Sequence, residues 1–174
     1  MKHYSKVKPL LSYFLKQMEN YNEIPFNKKI DPYGFSVGFV FKEVCEDFNL
    51  NIIPGIEKCL SGGEDQIKGK NFKGFTKFLF KRGHRIGVPM SEEYSENNFF
   101  ALSTIRDELY RIMKKMEAFD PEVSEASKDK LFLKQKSLNK DLGGLNAIEW
   151  FELAQFNLEL FKSTKEVLDK KLSQ

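Results

Sequence analysis

Residues 145–172, LNAIEWFELAQFNLELFKSTKEVLDKKL, run for more than two dozen positions without Gly or Pro. They follow Gly143-Gly144; Asn146 can cap a first helical turn, and Glu149 stands three residues on, where a capping box places its acid. At about 100° per residue, Trp150, Leu153, Ala154, Asn157, Leu160, Phe161, Thr164, Val167, Leu168 and Leu172 fall on one side. Glu152, Gln155, Glu159, Lys162 and Glu166 fall on the other. The stretch predicts one long amphipathic helix with a single amide, Asn157, near the middle of its apolar side.

The rest of the chain bounds what such a helix can belong to. Its 174 residues predict one domain, 1–174, large enough to bury a core without disulfides or metal staples. Charged residues make up 30% and apolar ones 41%, and 17 Phe supply bulky core material, which excludes global disorder. A net charge of +3, with bases offset by acids along the chain, leaves no basic tail of the kind that binds nucleic acid. Met1 to Glu23 lacks the apolar run of a signal peptide, and nowhere do 18 apolar residues stand together to span a membrane. Cys45 and Cys59 are expected as two packed thiols rather than a bridge. These features together predict a cytoplasmic protein that does not engage a membrane.

Upstream, apolar residues recur at three and four. Helix one is expected over Lys8–Asn20, with Pro9 in its first turn and Leu10, Leu11, Phe14, Leu15 and Met18 inward. Tyr21–Tyr33, broken by Pro25 and Pro32, reads as irregular. Ser36 then caps helix two, which places Val37, Val40, Phe41, Val44 and Phe48 on one side. That helix continues towards Leu60, is kinked or interrupted at Pro54-Gly55, and ends at Ser61-Gly62-Gly63. Lys68–Arg85 predicts a short surface helix with Phe72, Phe75 and Leu79 on one side and Lys73, Lys77 and Lys81 on the other. Helix three is expected from Ser95 to Phe119, carrying Phe99, Leu102, Ile105, Leu109, Ile112, Met113 and Met116, with Asp120-Pro121 closing it. Residues 121–144 read as polar and irregular, anchored at Leu131-Phe132-Leu133. No strand period is visible. The expected fold is all-α: a bundle of four long helices with an extra short helix in the middle connection.

Chemistry is harder to find. Of two histidines, His3 lies in the terminal segment and His84 in a basic turn. A thiolate at Cys45 would need a basic neighbour, and Lys42, three residues back, is a weak one. Gly62-Gly63 lacks the Lys-Ser of a phosphate loop. Phenylalanines interleaved with Lys73, Lys77 and Lys81 suit single-stranded nucleic acid, but the run is short and Glu92, Glu93 and Glu96 follow, so an ordinary surface helix is the better reading. Glu43 and Asp47, at i and i+4, could with Asn157 build an oxygen-rich site for a hard cation. Against that stand a solvated acid face and a satisfied core amide, the commoner fates of such residues.

Three segments carry a resemblance: SVGFVFKEVCEDF opening helix two, FKGFTKFLFKRGHRI in the middle, and LNAIEWFELAQFNLELF, whose Leu and Trp stand five apart. Over about Leu10 to Leu172 the chain resembles the DinB/YfiT-like four-helix bundles, particularly an uncharacterised branch. That resemblance implies a divalent metal held by one histidine from helix two and an i, i+4 pair from helix four, with thiol-dependent transferase or hydrolase activity in some members. Here those positions are Glu43, Asn157 and Phe161, and none is histidine. The expectation is therefore a degenerate, metal-free bundle without a cofactor, non-catalytic, able to pair as a homodimer, and binding a partner or small ligand in a cleft at Glu43, Asp47, Asn157 and Phe161. The alternative is a metal-dependent hydrolase or thiol S-transferase using Glu43 and Asn157 in altered roles.

Overall fold

The computed structural model describes residues 3–30, 34–64, 68–80 and 99–174, and of Lys77, Leu79 and Phe80 the backbone alone. Expectations for Lys81, His84, Glu92, Glu93, Ser95 and Glu96, and for the side chains of Lys77 and Leu79, lie outside the described residues. The last helix, α7 (Ala147–Leu172), begins where the capping box puts it. Asn146 Oδ1 accepts from the Glu149 N–H at 3.0 Å, and the Asn146 N–H donates to Glu149 Oε2 at 2.9 Å. Its buried side is wider than the helical period predicts, because neighbours meet it on several sides: Phe151, Phe156, Leu158 and Lys165 are buried too, while Val167 is exposed.

Helix α1 (Tyr4–Gln17) starts before Lys8 and carries Pro9 in its interior. Its start is fixed from elsewhere in the chain: Asp120 Oδ1 accepts the backbone N–H groups of His3 and Tyr4 at 2.8 and 2.9 Å. Asp120-Pro121 therefore does not close helix three. Instead α6 (Leu102–Ala126) passes through both; Pro121 withholds an N–H from the turn before it, and burial of Phe119 and Val123 on either side holds that turn together. Phe99, expected at helical spacing within helix three, instead precedes α6 and is 66% exposed. The Pro25 segment is likewise more regular than its composition suggests, forming a short helix α2 (Glu23–Asn27) that buries Phe26. Asn27 ties it to the start of α6, accepting from the Phe100 N–H at 2.8 Å and donating to its carbonyl at 3.1 Å.

Ser36 caps α3 (Val37–Asp47), its Oγ accepting from the Phe39 N–H at 3.2 Å. The expected interruption near Pro54 takes the form of a π turn, Phe48–Ile52, in which the Ile53 N–H donates to the Phe48 carbonyl five residues back. Helix α4 (Ile53–Leu60) follows with Pro54 in its first turn, where a missing N–H costs least, and ends on Gly62 and Gly63, both at positive φ. α1 packs on α6 and α7, and α3 packs on the same two, so four helices surround one core.

Two corrections concern the connections. In α5 (Phe72–Phe80), the side carrying Phe72 and Phe75 does not pack on the core: the two rings are 83% and 54% exposed. The helix instead turns Gly74 onto the Leu142 carbonyl, at a distance no Cβ allows, and sets Phe78 against Phe156 at 5.8 Å. Asn71 fixes that rotation: its backbone N–H donates to Leu142 O at 2.9 Å, and its Oδ1 accepts from the Gly74 N–H at 2.8 Å. The connection after α6 is not wholly irregular either. β1 (Ser137–Asn139) and β2 (Gly143–Leu145) pair antiparallel with Ser137 opposite Leu145, so the fold is mainly helical with one small sheet. Strands of three residues are too short to display a period of two. Among the described residues no helix is long and apolar enough to cross a membrane.

Candidate ligand cleft

Glu43 and Asp47, one helical turn apart on α3, line one side of a cleft together with Leu50 of the π turn and Pro54 of α4. A facing row on α7 consists of Trp150, Leu153, Asn157 and Phe161. The rows run antiparallel: Asp47 meets Asn157, and eight residues on, Gly55 meets Trp150. Between them lies a cavity of about 500 Å³, closed at the Trp150 end by Ser137–Leu142 of the hairpin. Glu43, Asp47, Asn157 and Phe161, the four residues picked out from the sequence, all line it.

The far end is acidic. Glu43 is 9% exposed, and its Oε1 is buried without a hydrogen-bond partner among the described residues. Burial, with the Glu46 and Asp47 carboxylates adding to it and Lys42 opposing it, pushes its pKa up to about 7. Lys42 is engaged by Glu46 at 2.9 Å. Asp47 accepts from Asn157 Nδ2 at 2.9 Å through one oxygen and from Asn51 Nδ2 at 3.1 Å through the other. Asn157 thus serves as a polar tie between α3 and α7.

At the hairpin end a relay absent from the sequence reading sets the wall. Trp150 Nε1 donates to Ser137 Oγ at 2.7 Å, Ser137 Oγ donates to the Gly55 carbonyl at 2.8 Å, and Cys59 Sγ lies 3.5 Å from the same hydroxyl. Three buried polar groups are satisfied together, which holds the indole in one orientation.

The donor set does not fit the metal site that the family resemblance implies. Phe161 offers only carbon, both Asp47 oxygens already accept amide hydrogens, and among the described residues no three His, Cys, Asp or Glu side chains stand close enough to hold an ion. Thiol chemistry is no better placed. Cys45 and Cys59 are both free and buried, and burial, helped by Glu108 and Glu46, pushes the Cys45 thiol up to about 12. Of the lysines considered for nucleic acid, Lys73 is half-exposed and sits 3.8 Å from Asp141. His3 lies beside Phe151, 6.0 Å between ring centroids, and does not line the cleft.

A second polar cluster, which helical spacing alone could not reveal, lies between α1 and α7. Lys165 is 0% exposed; its Nζ donates to Gln17 Oε1 at 2.9 Å and to Asp169, which also accepts from the Tyr21 hydroxyl. The rings of Tyr21 and Tyr13 stand 5.2 and 5.6 Å from that ammonium. Burial and the nearby carboxylates of Glu166 and Asp169 push Tyr13 up to about 12, so both phenols stay protonated hydrogen-bond donors.

The fold and cleft define a mainly helical protein with an acid-ended, apolar-walled groove. The chain matches no family model, no curated protein and no solved structure.

Proposed function

We propose that this chain is a DinB-like helical bundle, working in the cytoplasm, whose cleft between α3–α4 and α7 binds a small organic molecule in place of the metal that the resemblance implies. The observation that carries the reading is the cleft itself: about 500 Å³ lies at the helix positions matching the family's ligands, within the usual range of small-molecule sites. Its walls support it further, since Leu50, Pro54, Trp150 and Leu153 supply apolar surface and the acids gather at one end. Non-catalytic binding fits best because the described cleft residues include no nucleophile beside a base. Pairing of two copies through helix faces belongs to the same proposal, and sedimentation velocity reads it. A fragment screen by NMR tests the cleft: hits should shift Asn157 and Leu153 and alter Trp150 fluorescence, and a library without such hits overturns the reading.

The second reading, a metal-dependent hydrolase or thiol S-transferase using Glu43 and Asn157, is favoured only by the open Glu43 oxygen. Zinc or manganese raising the melting temperature of the native chain, but not of Glu43→Gln, would support it.

A further inference from the structure

We infer that the acid end of the cleft is an ammonium site, taking a primary amine on an aromatic or aliphatic body, the nitrogen against Glu43 and the body along Leu50, Pro54 and Phe161. The inference rests on the reading of the cleft as a small-ligand site and specifies which chemistry enters it. Three independent features carry it. First, Glu43 is nine-tenths buried, lines the cleft, and keeps one oxygen, Oε1, without a hydrogen-bond partner among the described residues. A buried acceptor in that state is destabilising until a donor arrives.

Second, among the described residues no protein cation fills the place. Of the groups facing Glu43 on its own helix, Lys42 is held by Glu46, Glu46 also shares a hydrogen bond with the Glu43 carboxyl, and Glu46 and Asp47 are themselves acids. On α7, Asn157, Leu160 and Phe161 face the cleft and none carries charge. The lysines that line the cleft, Lys58 and Lys140, belong to its hairpin end, and Lys58 is paired with Glu64. The acid end is thus a local excess of negative charge in a partly apolar wall, which attracts a cation.

Third, the donors suit an ammonium better than a metal ion. A hard divalent ion needs six or more oxygens, whereas one open carboxylate oxygen flanked by carbon surface matches a single N–H donor carried on a carbon skeleton. Where Glu43 holds its proton, binding transfers that proton to solvent and leaves a carboxylate–ammonium pair, so amine affinity falls as the solution is made more acid than the Glu43 pKa.

The experiment uses the full chain at pH 8 with 2-phenylethylamine, 2-phenylethanol and manganese chloride as probes, followed by calorimetry and Trp150 fluorescence. The amine should bind about tenfold or more tightly than the alcohol, Glu43→Gln should remove that preference, and Glu43→Asp should retain part of it. At pH 7, titrations in buffers of different ionisation enthalpy should report proton release from the wild-type chain, a readout that does not depend on the variants folding. Equal binding of amine and alcohol, unaffected by Glu43→Gln, would overturn the ammonium site while leaving the cleft as a ligand site. Manganese binding that requires Glu43, with no amine preference, would overturn it in favour of a metal. Failure of both organic probes would also overturn it, and the cleft reading would then stand or fall on the fragment screen alone.

Discussion

The backbone of Gly55 lies flat against the indole of Trp150, so close that a Cβ on residue 55 would overlap the ring atoms Cδ2, Cε2 and Cζ2. The indole cannot withdraw, because Ser137 holds its nitrogen and the same hydroxyl is bonded back to the Gly55 carbonyl. Helix α4 and α7 therefore touch at a point where only glycine fits.

Gly55→Ala gains about 1 kcal/mol of helix propensity but forces the ring or a helix aside, an overpacking cost of typically 1–3 kcal/mol and larger where neighbours are locked. The clash should win. Differential scanning calorimetry should show a melting temperature lower by several degrees, accompanied by altered Trp150 emission.

The bond from Asp120 to the first turn of α1 makes a second prediction. Removing the acceptor in Asp120→Ala leaves the N–H groups of His3 and Tyr4 without it, at a cost of about 1–2 kcal/mol. Asp120→Asn keeps an oxygen in place and should cost less. Urea midpoints of the three chains would rank them, and equal midpoints would remove Asp120 from the role.

At Lys165 the expected cost is larger. Lys165→Met leaves Asp169 and Gln17 without their ammonium partner. Breaking a buried pair typically costs 3–5 kcal/mol, and because a third of the Asp169 side chain reaches water, the loss here should be about 3 kcal/mol. The double variant Lys165→Met, Asp169→Leu should recover part of it, since no charge is then left unpaired. Additive losses in a denaturation cycle would contradict this.

Glu43 should give the protein a distinctive pH dependence. Its pKa is raised from 4.5 to about 7, so between those values the native carboxyl keeps a proton that the unfolded chain has released. Stability attributable to this group therefore falls as pH climbs from 4.5 to 7 and is level above. Glu43→Gln should match the wild type near pH 4 and exceed it by about 1–3 kcal/mol at pH 8. Unfolding free energies measured across that window would show the difference in slope.

What could be read from the chain was what is decided within a turn or two of helix. The caps at Ser36 and Asn146 bond to residues three positions on, so their signal is local, and the period of α3 and α7 sets Glu43 beside Asp47 and Asn157 beside Phe161, whereas grouping the two pairs into one cleft came from the DinB-like resemblance and not from the period. Features fixed across long separations were not legible. Asp120 acts on a residue 116 positions away, and Lys165 meets Gln17 148 positions away. The rotation of α5 is set against the Leu142 carbonyl, which leaves Phe72 and Phe75 exposed although they share one side of the helix. Pro121 looks like a terminator until the packing of Phe119 and Val123 around it is known.

The wide turn at Phe48–Ile52 has one more consequence. Taking up one residue beyond an ordinary turn offsets everything after it by about 100° of azimuth, so the carboxylates upstream and the bare backbone of Gly55 downstream reach the same face of α7 because of that offset. Excising Asn49, which does not line the cleft, would restore an ordinary turn and keep every lining amino acid in the sequence, yet swing one half of the cleft away from the other. The spacing between these two halves is thus as much a determinant of the groove as the side chains that line it.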